Sequence, residues 1–233
     1  MRSAIAITAM LALSGVAVAD SVDLAYTGPG NGKSFDVLAN GTATSVFAGQ
    51  LTFNVANGSG AGAQLNGPLL TYCIDVLEGV GPGLNTYDLD DLADAPVTAG
   101  GDPAMGVEKA KAIGRLYTAA GGDQFGSDND FAAAFQLAVW EVIADFGGDN
   151  DLDISDGDFR VTSSINAGTQ SVLNGLLAAA ADDSVFSFSG LGALTNEGFQ
   201  DQLYSVAIPL PGAMGLAAAG LAGVGFVTRR RRM

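Results

Sequence analysis

The chain holds one cysteine and no histidine. Without imidazole, Ser–His–Asp and Cys–His catalysis are removed, and so are most zinc sites. Carboxylates are plentiful, but no spacing among them marks a general acid–base pair. Chemistry therefore narrows to Cys73 and whatever stands beside it. Cys73 lies in Leu69-Leu-Thr-Tyr72-Cys73-Ile74-Asp75-Val76, which alternates like a strand. Leu70, Tyr72, Ile74 and Val76 take one face; Thr71, Cys73 and Asp75 take the other. A cysteine on the polar face is unusual, because the residue is normally buried as a small hydrophobe. The second stretch runs from Phe131 to Phe146. Phe131, Phe135, Ala138, Val142 and Phe146 recur at the spacing of one face of an amphipathic helix. Ser127 is the expected cap, with Asp130 three residues on, and Gly147-Gly148 is the expected stop. Gln136 sits off the aromatic stripe, with Ala132 and Ala133 one turn back and Val139 and Trp140 one turn on. Small residues on one side and an indole on the other leave a slot beside the amide. A second backbone fits there, and Trp140 keeps water out.

The pair Tyr72-Cys73-Ile74-Asp75 and Phe135-Gln136-Leu137-Ala138-Val139-Trp140 resembles the two signature motifs of bacterial surface thioester domains, in the family's order. In that family the cysteine sulfur and the glutamine side-chain carbonyl join in an internal thioester, with loss of ammonia. An amine on a target then attacks, leaving a covalent amide. The resemblance implies that Cys73 is the thiol and Gln136 the acyl donor, with Tyr72, Asp75 and Trp140 as the shell. Asp75 is the candidate to orient an incoming amine or take its proton. The family usually has Thr before the glutamine; here Phe135 stands there. A thioester releases thiolate far more readily than an amide releases an amide anion, so it must be shielded until a target arrives. The chemistry is single-turnover, so no enzyme is expected, and no cofactor.

Both ends of the chain carry export signals. Residues 1–19 read as a secretory signal peptide: Arg2, an apolar run from Ala4 to Val16, and Ala17-Val18-Ala19 before Asp20. Residues 207–233 join Ile208-Pro209-Leu210-Pro211 to an apolar run just long enough to span a bilayer and then to Arg229–Arg232, which the positive-inside rule keeps cytoplasmic. This tail resembles the PEP-CTERM class of sorting signals of Gram-negative bacteria, in a Val-Pro-Leu-Pro-like variant. The resemblance implies an exosortase-like processing enzyme as a partner. The expected location is the cell surface or beyond, with transient or lasting anchorage in a membrane.

Between the ends lies one body, 20–206, long enough for a sizeable core. Five basic residues (Lys33, Lys109, Lys111, Arg115 and Arg160) face all 25 acidic ones, a balance of about −20. Such repulsion excludes nucleic acid as a partner. A single cysteine permits no internal disulfide, and a thioester would mask the thiol. Strand patterns cover Val22–Tyr26, Ser34–Leu38, Ser45–Val55, the Cys73 stretch and Thr86–Leu89, with turns at Gly28–Gly32 and Asn40-Gly41 and a loop at Asn57–Gly62. Helical patterns cover Val107–Ala120, the Gln136 stretch and Ala167–Ala181, and strand patterns return at Val185–Phe188 and Gln202–Ile208. The expected fold is α+β: a β-sandwich or barrel (about 20–100 and 183–206) with a small inserted helical subdomain (about 103–181), and the thioester at their junction.

Two other readings stay open. One is an exported structural or matrix protein whose Cys/Gln pair is inactive. The other is a calcium-dependent module using Asp149, Asp151, Asp153, Asp156 and Asp158. Those carboxylates have the right oxygen chemistry, but the glycine and distal glutamate of an EF-hand loop are missing. A solvated acidic turn is the simpler expectation.

Overall fold

A computed structural model describes residues 20–97, 103–122, 128–147 and 152–205. The expected signal peptide and sorting tail lie outside these residues. Among the described residues, no helix is long and apolar enough to cross a membrane.

The fold is α+β, mostly antiparallel sheet with helices packed against it. β1 (Ser21–Ala39) and β2 (Thr42–Ser59) form a long hairpin; a 3₁₀ turn (Gly60–Leu65) leads into β3 (Gly67–Cys73), and β4 (Leu84–Asp91) follows. Next come α1 (Val107–Ala119), α2 (Asn129–Asp145), β5 (Phe159–Val161) and α3 (Ala167–Ala181), then β6 (Leu191–Thr195) and β7 (Gln202–Ser205). The strand order is β2-β3-β7-β6-β4-β1-β5, and β1 also pairs with β2. The hydrogen bonding therefore runs in a circuit that returns to β1. This long strand makes the circuit possible: its first residues pair with β4 and its last with β5, while β2 follows it along nearly its whole length.

The β1–β2 turn is Asn40-Gly41, with φ of 48° and 78°, as a tight hairpin between twisted strands requires. The turn expected at Gly28–Gly32 is absent. β1 continues through it with register shifts at Tyr26/Gly28 and Pro29/Gly32. A bulge absorbs the glycines here: a Cβ on Gly32 would lie 2.5 Å from the Ala48 carbonyl oxygen. The loop expected at Asn57–Gly62 is likewise the end of β2 and the start of the 3₁₀ turn. Val185–Phe188 forms no strand. Phe188 stacks on Tyr117 of α1 with ring centroids 4.6 Å apart, and its N–H bonds to the Gly114 carbonyl at 3.2 Å. The segment is thus held by α1 and not by a neighbouring strand, and the ladder is taken up by β6, which the sequence pattern missed.

α3 has the bounds that its spacing predicts. α2 starts with Asp128, whose carboxylate accepts the Phe131 N–H at 2.7 Å; Ser127 lies outside the described residues. α2 is also not amphipathic. Residues 132–143 are all buried, because the helix lies against β1 and β2 on one side and α1 and α3 on the other. A helix enclosed all round needs apolar or small residues on every face, and the alanines at 132–134 supply them. A single apolar cluster runs from the strands through α2 into α3, so the helices share one core with the sheet.

Candidate functional site

β3 carries the thiol and α2 the amide, and the fold brings them together across 63 residues of chain. The β2–β3 ladder ends at Leu51↔Thr71. On the other edge, β3 continues to Cys73↔Gln202 with β7. Cys73 is therefore left with no β2 partner, and its buried N–H and C=O must bond elsewhere. The Gln136 side chain takes both: Oε1 accepts the Cys73 N–H at 2.9 Å, and Nε2 donates to the Cys73 carbonyl at 2.7 Å. The amide of Gln136 replaces one residue of a missing strand. Gln136 is 0% exposed and Cys73 2%.

The expected polar face of β3 is buried as well. Thr71, Cys73 and Asp75 are buried like Tyr72 and Ile74, because partners distant in sequence meet what alternation alone assigns to solvent: Gln202 for Thr71, Gln136 of α2 for Cys73 and Asp201 for Asp75. The strand also ends at Cys73 and not at Val76. Past it the chain turns, and the Cys73 thiol donates to the Asp75 carbonyl oxygen at 2.7 Å. Burial, reinforced by the negative charge of Asp75, pushes the thiol well above its ordinary range, so the resting group is S–H. The Trp140 indole N–H stands beside the sulfur, where it favours thiolate, and it has no hydrogen-bond partner among the described residues. Tyr72, fully buried, packs on Phe135 with centroids 4.7 Å apart and rings inclined by 52°. That contact fixes the strand against α2 one residue before each reacting candidate.

Asp75 is placed differently from the expectation. Its Oδ2 accepts the Asp201 N–H at 2.9 Å, and Oδ1 has no partner among the described residues. Asp201 in turn accepts the Asn196 N–H at 2.7 Å. Burial raises both carboxyls, and each is further raised by a carboxylate near it. Gln200 Nε2 donates to the carbonyls of Asp75, at 3.1 Å, and Glu78, at 2.7 Å, and Thr71 Oγ1 donates to Gln202 Oε1 at 2.7 Å. Sequence reasoning missed this Gln200-Asp201-Gln202 run. Its only signal is three polar residues ahead of a short apolar strand.

A cleft of about 460 Å³ opens over the site. Tyr26, Phe47, Val76 and Trp140 wall it, Glu78 lines it, and it reaches Cys73. Asp75 and Tyr72 do not line it. Cys73 is therefore screened from water by its neighbours and still borders a path to solvent.

The acidic loop gives a second group. Asp149 and Asp151 lie outside the described residues. Asp153 is exposed and accepts from Ser155 N at 2.9 Å and Ser155 Oγ at 2.8 Å. Asp145 closes the loop onto α2 by accepting the N–H groups of Asp158 and Phe159 at 2.8 and 3.0 Å. Glu141, 0% exposed, has no hydrogen-bond partner for either oxygen among the described residues. Burial, with Asp145 nearby, raises it to about 8, so it carries a proton at neutral pH. Among the described residues, no three His, Cys, Asp or Glu side chains are grouped to hold a metal.

In chemical terms the site pairs a buried thiol with a carboxamide pinned to the thiol's own backbone, beneath a mostly apolar cleft. No protein-family model, curated protein or solved structure matches the chain.

Proposed function

We propose that this is an exported cell-surface protein whose Cys73 and Gln136 form an internal thioester that attaches to amine-bearing targets. The observation that carries the reading is the double hydrogen bond from the Gln136 amide to the Cys73 backbone. It holds the amide against the thiol-bearing residue before any bond forms, which is the positioning such a reaction needs. To react, the sulfur leaves the Asp75 carbonyl and attacks the Gln136 amide carbon. The C–S bond forms, the C–N bond breaks, and the thiol proton departs with ammonia. A target amine later attacks the same carbon. The new C–N bond forms, the C–S bond breaks, and a proton from the amine returns to sulfur.

Burial of the pair protects the thioester from hydrolysis, and the cleft admits the amine. The signal peptide and the sorting tail carry the location: export, handling by an exosortase-like enzyme, and at least transient membrane anchorage. The low count of lysines suits the same reading, since few internal amines compete.

A second reading draws on the same geometry. Two satisfied hydrogen bonds are also what a purely structural glutamine would make, so an exported matrix protein with an unreacted pair is the alternative. Intact mass of the denatured mature chain, without reductant, beside Cys73→Ala, separates them. The thioester gives a wild-type mass short by one ammonia, and methylamine converts it to an adduct on Gln136. A full mass with a freely titrating thiol refutes the thioester.

A further inference from the structure

The cleft over Cys73 has a composition that selects among amines, and the selection rests on the thioester reading above. Its walls are aromatic and aliphatic: Tyr26, Phe47, Val76, Leu77 and Trp140. Among the described residues that line it, Glu78, half-buried, is the one carboxylate, and none is a Lys or Arg. Asp75, the carboxylate nearest in sequence, is turned away onto the Asp201 N–H. Aromatic faces together with one carboxylate form the surface that holds an alkylammonium: the rings attract the cation, the carboxylate pairs with it, and the aliphatic walls cover its stem. The Gln200 side chain anchors the Glu78 carbonyl and the Asp75 carbonyl together. The backbone at Glu78 and the Asp75 carbonyl that holds the thiol are thereby tied to one support.

We infer that Glu78, and not Asp75, is the acceptor-side residue of this site, and that it favours cationic primary amines on apolar stems over amines that carry their own carboxylate. Glu78 receives the incoming ammonium and takes one proton from it. The freed amine attacks the Gln136 acyl carbon, the C–N bond forms, the C–S bond breaks, and the second nitrogen proton ends on the Cys73 sulfur. Glu78 then releases its proton to solvent through the open cleft. An amine bearing a carboxylate meets repulsion from Glu78 and from the acidic body around it.

The test uses the exported chain after confirming the mass loss of one ammonia. Adduct formation is timed with n-butylamine and with 4-aminobutyrate at equal free-amine concentration, in the wild type, Glu78→Gln and Asp75→Asn. In the wild type butylamine reacts at least roughly tenfold faster, a difference of about 1.4 kcal/mol. In Glu78→Gln the gap narrows to about threefold or less. Asp75→Asn keeps the wild-type preference. Phe47→Ala, which leaves the carboxylate in place, slows butylamine but not methylamine. The loss of ammonia in each variant reports that the β3–α2 junction has folded. Equal preference in the wild type and Glu78→Gln, with the ammonia loss present in both, overturns the role of Glu78 alone. A wild type with no ammonia loss and no adduct from methylamine overturns the thioester itself.

Discussion

Replacing Gln136 separates its role as a strand substitute from its role as an acyl donor. Cys73→Ala is the background for this, since it removes any thioester while keeping the backbone groups that Gln136 satisfies. Gln136→Leu keeps the volume but leaves the residue-73 N–H and C=O bare in a site that is 0% exposed at position 136. Each orphaned group costs about 1–3 kcal/mol, so the loss is about 2–6 kcal/mol, a large share of a typical domain's stability. Gln136→Glu behaves as two proteins. When protonated, its carbonyl accepts the N–H and its hydroxyl donates to the C=O, and little is lost. When ionised, a carboxylate faces a carbonyl oxygen without water. Burial raises its folded pKa above the unfolded value, as it does for Glu141 five residues further along α2. The folded state then binds more protons than the unfolded one, so stability falls as pH rises, by up to about 1.4 kcal/mol per pH unit between the two pKa values. Urea unfolding followed by Trp140 fluorescence at pH 5 and pH 8 reads both effects, with unchanged m-values confirming that stability alone has moved. A Gln136→Leu variant within about 0.5 kcal/mol of its background, or a Gln136→Glu variant with no pH dependence beyond it, would refute the claim that the amide completes the β3 ladder.

Glu141→Gln tests the bare carboxyl. Its folded pKa of about 8 lies above the ordinary value of 4.5, so its contribution is present below pH 4.5 and is lost as pH rises toward 8. The variant flattens the stability–pH curve there, gaining on the order of 3 kcal/mol at pH 7, and an unchanged curve in denaturant melts excludes the assignment. A formed thioester closes a loop across 63 residues. By the chain-entropy account of cross-links it adds about 4 kcal/mol, so methylamine treatment lowers the melting temperature of the wild type but not of Cys73→Ala; equal melts would deny the cross-link. Calcium leaves the melting temperature unchanged, whereas a saturable rise would favour the calcium-dependent module.

Several elements were legible in the sequence because local physics specifies them. Asn40-Gly41 turns because both residues accept positive φ. The bounds of α3 follow from its spacing and from the Asn166 side chain, which accepts the Thr169 N–H at 3.0 Å. Cys73 and Gln136 stood out by type and neighbours, with no side chain able to supply the usual catalytic imidazole. Non-local packing decided the rest. A glycine-rich stretch became a bulge because β2 continues alongside it, and Val185–Phe188 left the sheet because Tyr117 and Gly114 hold Phe188. The burial of both faces of β3 depends on Phe135 and Gln136 of α2 and on Asp201 and Gln202 at the start of β7, which alternation along one strand cannot encode. Asp75 pairs with Asp201 across 126 residues, a relation invisible to any local pattern. The sequence alone determined which groups have the chemistry to react. Only the tertiary structure decided that the amide would sit on the thiol's own backbone, because that position exists only where β2 departs from β3 and α2 fills the gap.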